Sequence, residues 1–162
     1  SMGKTAFALN IAQNAAVKNN VPTAIFRLEM SKEQLVTRMI GAEAMVDLQK
    51  MRTGDLNEED WMRMAGSITP LSKAPLYIDD TPGITVTELR AKCRRLKLEK
   101  NIQLVLIDYL QLMNGTGKTE SRQQEISTIS RNIKAIAREI EAPIIALSQL
   151  SRACESRTDH RP

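Results

Sequence analysis

The sequence predicts an α/β fold, a mostly parallel sheet with helices on both faces. Short apolar runs at 23–28, 75–79, 102–107 and 143–148 alternate with longer amphipathic stretches, the pattern of strands joined by helical crossovers. Each run closes on a carboxylate or an amide: Glu29, Asp79, Asp108 and Gln149. The chain opens on Gly3-Lys4-Thr5, the closing half of the phosphate-binding pattern G-x-x-x-x-G-K-[ST], whose first Gly would fall before Ser1.

Residues 4–18 read as a helix, with Phe7, Ile11 and Ala15 at spacings of four and further alanines adding propensity. Asn19-Asn20-Val21-Pro22 ends it, and the first strand follows. Ser31 with Gln34 forms a capping-box pattern. The helix it opens has Leu35, Val36, Met39 and Ile40 inside and runs to a break at 52–54. Another helix begins near Asn57, and its stripe Trp61, Met64, Ala65 and Ile68 reads as core, as do most of the eight Met residues.

After the second strand, Asp80-Thr81-Pro82-Gly83 makes a turn, and Thr85 with Glu88 caps a helix whose inner side is Val86, Leu89, Cys93 and Leu96. Its outer side carries Arg90, Lys92, Arg94, Arg95 and Lys97. A solvated face is the default reading of such a run, and nucleic-acid contact the alternative. Residues 114–121 read as a mobile loop. The Gly117-Lys118-Thr119 inside it fails as a phosphate loop, because Leu112 stands where the first Gly belongs. A strongly amphipathic helix, 122–141, leads to the last strand.

Composition narrows the classes. The 162 residues suit one domain, and 42% apolar with 26% charged content suits a folded, soluble chain. No apolar run nears the roughly 18 residues of a membrane span. The net charge of +4 tolerates an anionic partner without naming one. Cys93 and Cys154 are far apart and His160 is the single histidine, so no zinc-ligand pattern exists and two free thiols are expected. Five aromatic residues give little from which to build a base-stacking platform.

In parallel sheets, ligands bind beyond the carboxyl ends of the strands, so the strand-end acids and Gln149 are expected to converge on the rim where the phosphate-loop helix begins. Phosphoryl transfer needs charge neutralisation, a metal and an aimed water. Lys4 and the backbone N–H groups of Gly3 to Thr5 would hold phosphates, and Thr5 and Asp108 would hold Mg²⁺. Glu29 could accept the proton of an attacking water, and Gln149 could contact both that water and the γ-phosphate.

Beyond these positions, Ile25-Phe26-Arg27-Leu28-Glu29-Met30-Ser31, Arg52-Thr53-Gly54, Tyr77-Ile78-Asp79-Asp80-Thr81-Pro82, Ile107-Asp108-Tyr109-Leu110-Gln111-Leu112 and Leu147-Ser148-Gln149-Leu150-Ser151-Arg152 stand in one order. Together they closely resemble the C-terminal motor domain of bacterial replicative DNA helicases of the DnaB type, over essentially residues 1–162. Ser1-Met2-Gly3-Lys4-Thr5-Ala6 fits that family's phosphate loop. The resemblance implies a RecA-like P-loop NTPase core, a ring of six, and ATP-driven movement along single-stranded DNA. It implies nucleotide contact at Ser1, Met2, Gly3, Lys4, Thr5 and Ala6, and metal binding at Thr5 and Asp108. It makes Glu29 similar to the catalytic base, with Lys4 and Gln149 contacting the transferring phosphate.

The same resemblance implies a cytoplasmic site of action at the bacterial replication fork, with primase and a helicase loader as partners of the longer protein. It also sets expectations of truncation at both ends: a central strand before Ser1, and an arginine finger and most of a DNA-contacting loop after Pro162. On that basis the piece alone is expected to be weakly active or inactive. Arg27 replaces the small Ser usual in relatives, and a guanidinium in a buried strand needs a partner. Two other readings keep parts of this picture: a RecA-like recombinase-type DNA-dependent ATPase, and a non-catalytic DNA-binding or scaffold module.

Overall fold

The computed structural model describes residues 3–27, 30–108 and 122–148. Leu28, Glu29, the 109–121 segment with the expected loop, and everything from Gln149 onward lie outside it, as do Ser1 and Met2. Within the described residues, four parallel strands make one sheet in the order β2-β1-β3-β4. They are β1 (Thr23–Arg27), β2 (Leu76–Asp79), β3 (Leu104–Asp108) and β4 (Ile144–Leu147). The helices are α1 (Lys4–Gln13), α2 (Lys32–Ala44), α3 (Leu48–Thr53), α4 (Glu58–Lys73), α5 (Val86–Lys100) and α6 (Arg122–Glu139). The last turns of the first helix, Asn14–Lys18, continue it in π geometry.

Alternation along the two central strands divides the core in two, because successive side chains point to opposite faces. Ala24 and Phe26 of β1 and Val105 and Ile107 of β3 meet Leu89 and Cys93 of α5 and Ile129, Ile133 and Ile136 of α6. Ile25 and Leu106, between them in sequence, meet Ala8, Leu9 and Ala12 of α1 and Leu35 and Met39 of α2. Helices therefore cover both faces, as the alternating pattern predicts. Ala8, Leu9 and Ala12 of α1 face inward, whereas Phe7 of the expected stripe is 68% exposed.

Caps set the helix starts. Thr85 and Glu88 form the reciprocal box, with Thr85 N donating to Glu88 Oε2 at 2.8 Å and Glu88 N to Thr85 Oγ1 at 3.2 Å. Asn57 and Asp60 do the same for α4. At Ser31 only the hydroxyl half of the box appears, accepting from Gln34 N at 3.4 Å. The predicted single helix up to residue 52 is two. Met45 adopts left-handed geometry (φ 53°, ψ 42°) after Ala44, Val46 N returns to Gly41 O, and Asp47 caps α3 through Gln49 N at 2.6 Å. A Cβ on Gly41 would lie 2.9 Å from Leu48 Cδ2, so glycine there lets α2 and α3 pack closely.

The α4 stripe does not form core. Trp61 and Ile68 are 58% and 56% exposed, and Ser67 and Asp60 are the buried positions of that helix. Asp60 is held there by Arg63, Lys50 and the Asn57 backbone, and the apolar side chain that α4 packs against the core is Leu71. The methionines likewise depart from expectation: among the described ones only Met39 is buried, while Met45 and Met62 are largely exposed.

Candidate nucleotide site

The site grows from the ends of two strands and the start of one helix. Gly3 precedes α1 in left-handed geometry (φ 75°, ψ 9°), the conformation that glycine adopts without steric cost. That turn carries the chain into Lys4 and Thr5, which open α1, where the first N–H groups of a helix lack partners within it and the dipole end is positive. A helix start of this kind favours an anion.

Side chains then tie this start to the sheet. Lys4 Nζ donates to the Ser148 carbonyl just past β4 at 2.9 Å. Thr5 Oγ1 donates to Asp108 Oδ1 at the end of β3, at 3.4 Å. Asp108 has no exposed surface, and it ends a strand in which every residue is buried. A buried carboxylate is costly unless something compensates its charge. Its position is set by pairing: Arg27↔Asp108 and Asp108↔Leu147 are Cα partners across the three adjoining strands.

These oxygens suit magnesium. Mg²⁺ takes hard oxygen ligands, commonly one or two from protein with the remainder from phosphates and water. A hydroxyl and a carboxylate oxygen 3.4 Å apart are close to the roughly 3 Å edge of a magnesium octahedron. The donor set therefore fits, and Thr5 and Asp108 are the residues that would hold the ion.

Not all strand ends converge. Asp79 ends the edge strand β2, on the far side of β1 from β3. Its carboxylate accepts from Lys92 Nζ at 2.5 Å and from Thr81 N at 3.0 Å. It fastens the β2–α5 turn instead of joining the rim, which corrects the expectation for that residue. Burial alone would raise its pKa, but the Lys92 ammonium and Thr81 outweigh burial and hold it below the usual carboxylate range. Glu29, Gln149, Ser1 and Met2 lie outside the described residues, as does the side chain of Arg27. Ala6 is exposed on the first turn of α1.

Sequence reasoning missed two contacts. Ser148 enters through its backbone carbonyl, which no side-chain pattern can signal. Gln13, buried in α1, donates to Glu43 at 2.8 Å and to the Met39 carbonyl at 3.3 Å. A polar residue four after Leu9 on the inward face was the available signal. Cys93 is a buried free thiol whose pKa desolvation pushes up to about 12, leaving it unreactive.

With this geometry in place, comparison with known proteins decides the family. Residues 1–162 match the model of the DnaB-like helicase C-terminal domain. The chain belongs to that family. The replicative DNA helicase DnaC of Bacillus subtilis (strain 168) is 58% identical over 163 residues, covering 100% of this chain and 36% of that protein. The replicative DNA helicase DnaB of Geobacillus stearothermophilus is also 58% identical, again covering 36% of its length. The chain thus spans little more than a third of these relatives.

Among solved structures, a DnaB-like replicative helicase, described with its interactions with primase, superposes with a TM-score of 0.90 at 38% identity. It covers all of this chain and 39% of that one. A second solved chain, described as an ATPase domain, gives the same score and identity, and this chain covers 58% of it. The core is accordingly RecA-like, as the motif order implies.

Proposed function

We propose that this DnaB-like domain is the motor of a replicative helicase, binding ATP at the start of α1 and hydrolysing it to move along single-stranded DNA and open the duplex at the fork. The observation that carries the reading is the meeting of Thr5 and Asp108 beside Lys4, from segments 103 residues apart. Lys4 balances phosphate charge, and the N–H groups from Gly3 onward orient the triphosphate. Thr5 and Asp108 would hold Mg²⁺, which would supply neutralisation of the charge developing on the phosphates. Glu29, two residues past the end of β1, takes the proton of the attacking water, and Gln149, next after Ser148, contacts the γ-phosphate.

In the longer protein the domain works as a homo-hexamer with primase and a loader, in the bacterial cytoplasm. Relatives named as replicative helicases at 58% identity favour this reading over a recombinase that coats DNA without opening it. No described helix is long and apolar enough to cross a membrane.

The test uses the full-length protein. Asp108→Asn keeps the shape of the side chain and removes the charge that would hold the metal. Its Mg²⁺-dependent ATPase should fall at least about tenfold, the scale of losing a metal-site group. Glu29→Gln should retain ATP binding and lose about a hundredfold or more in hydrolysis. Unchanged turnover in both variants overturns the reading.

A further inference from the structure

Lys4 is placed to balance phosphate charge, and it also touches the sheet. Its Nζ donates to the Ser148 carbonyl at 2.9 Å, across 144 residues of sequence. That carbonyl belongs to the residue just past β4, which ends at Leu147. Among the described strands β4 is an edge, paired with β3 alone. Every residue of β4 is half-buried, whereas every residue of β3 is buried. Ile145 and Leu147 pack against the core cluster that Ala8, Leu9 and Ala12 of α1 help to form. The Lys4 bond therefore fastens the end of a lightly buried edge strand to the start of the helix lying on it.

A neutral carbonyl is a weaker partner for an ammonium than a phosphate is. Hydrogen bonds with an ionised partner are roughly twice as strong as neutral ones, and a nucleotide brings several negative charges close together. The anion would lie against the N–H groups that open α1, and Lys4 is the first residue of that helix. The flexible stem of a lysine lets its ammonium move between partners within reach. Phosphate arriving at the helix start therefore competes with the Ser148 carbonyl for the same charge.

We infer that Lys4 is a latch with two alternative partners: the Ser148 carbonyl, which fastens the end of β4, and the β-phosphate of a bound nucleotide, which draws the ammonium away. The inference rests on the motor reading and adds a regulation of the same site. Gln149, the residue proposed to contact the γ-phosphate, directly follows Ser148 in the chain. The latch gives the site an order of events. A diphosphate is enough to free the strand end, and the γ-phosphate then engages the residue beyond it. A sensor of the γ-phosphate alone answers to ATP and ignores ADP, whereas the latch already opens with ADP. That difference separates the two devices.

The experiment reads amide hydrogen exchange over residues 144–148 of the full-length protein, with residues 86–100 of α5 as the internal reference. Without nucleotide, Lys4→Met should exchange about threefold or more faster than wild type over 144–148, the scale on which losing one hydrogen bond raises local opening. Exchange over α5 should not change. Lys4→Arg keeps a donor and should stay at the wild-type rate. Wild type given Mg²⁺ and ADP should reach the rate of Lys4→Met. If Lys4→Met loosens α5 as well, the wild-type ADP comparison decides by itself. Unchanged exchange in an otherwise intact Lys4→Met overturns the inference. So does unchanged exchange in wild type once calorimetry shows ADP bound, which would mean that one ammonium bridges carbonyl and phosphate. A rise with a non-hydrolysable ATP analogue but not with ADP assigns the release to the γ-phosphate and overturns it too. All three results leave the motor reading intact. A wild type that binds neither nucleotide overturns the motor reading, and the inference with it.

Discussion

Gln13 Nε2 donates to Glu43 Oε2 across 2.8 Å and so joins the helix that starts at the phosphate site to the helix that follows β1. Gln13 is 6% exposed and also donates to the Met39 carbonyl. The pair fixes the angle between α1 and α2 over the strand pair that carries Ile25 and Leu106. Both partners lose a bond when Gln13 is replaced by Leu.

Gln13→Leu should therefore cost about 1–3 kcal/mol in unfolding free energy, the scale of removing one partner from a buried polar pair. Urea unfolding of the domain measures it. Glu43→Ala and the double variant complete a cycle, and a coupling energy of at least about 0.5 kcal/mol is expected. Additive losses would show that the bond contributes nothing beyond packing.

Much of this architecture was legible because its signals are local. Each strand announced itself as a short apolar run, and the alternation of these runs with helical stretches foretold helices on both faces. The Thr85 helix start followed from cap chemistry. Asp108 was legible from its place at the end of a wholly apolar strand. Asp79 looked identical in sequence, and only strand order separates the two: β3 lies between β1 and β4, whereas β2 is an edge. The exposure of Trp61 and Ile68 was hidden for a similar reason. Helical spacing shows that a stripe exists, and it cannot show whether another element covers it.

The missed break between α2 and α3 gives a second prediction. Helices that end in a left-handed residue normally place Gly or Asn there, and this one places Met45, 84% exposed with φ 53°. Relief of the Cβ clash favours glycine by about 1–2 kcal/mol, partly offset by the greater freedom of glycine in the unfolded chain. Met45→Gly should stabilise the domain by about 0.5–1 kcal/mol, read as a higher urea midpoint at unchanged m-value. A lower midpoint would mean that the Met45 side chain makes a contact worth more than its backbone strain.

The Lys92–Asp79 pair makes stability depend on pH with a definite sign. Because the folded-state pKa of Asp79 is lowered, the contribution is full above its unfolded value of about 4 and is lost as pH falls through the folded value. Lys92→Met removes the main stabilising partner, so the wild type should exceed the variant at pH 7 and the gap should close toward pH 2. Both side chains keep about a quarter of their surface in solvent, so solvent screening holds the gap to under about 1 kcal/mol. Urea unfolding of both proteins at pH 7, 4 and 2.5 gives the comparison. A gap of the same size at all three values would assign the Lys92 effect to its aliphatic stem packed beside β2, and not to the charge on Asp79.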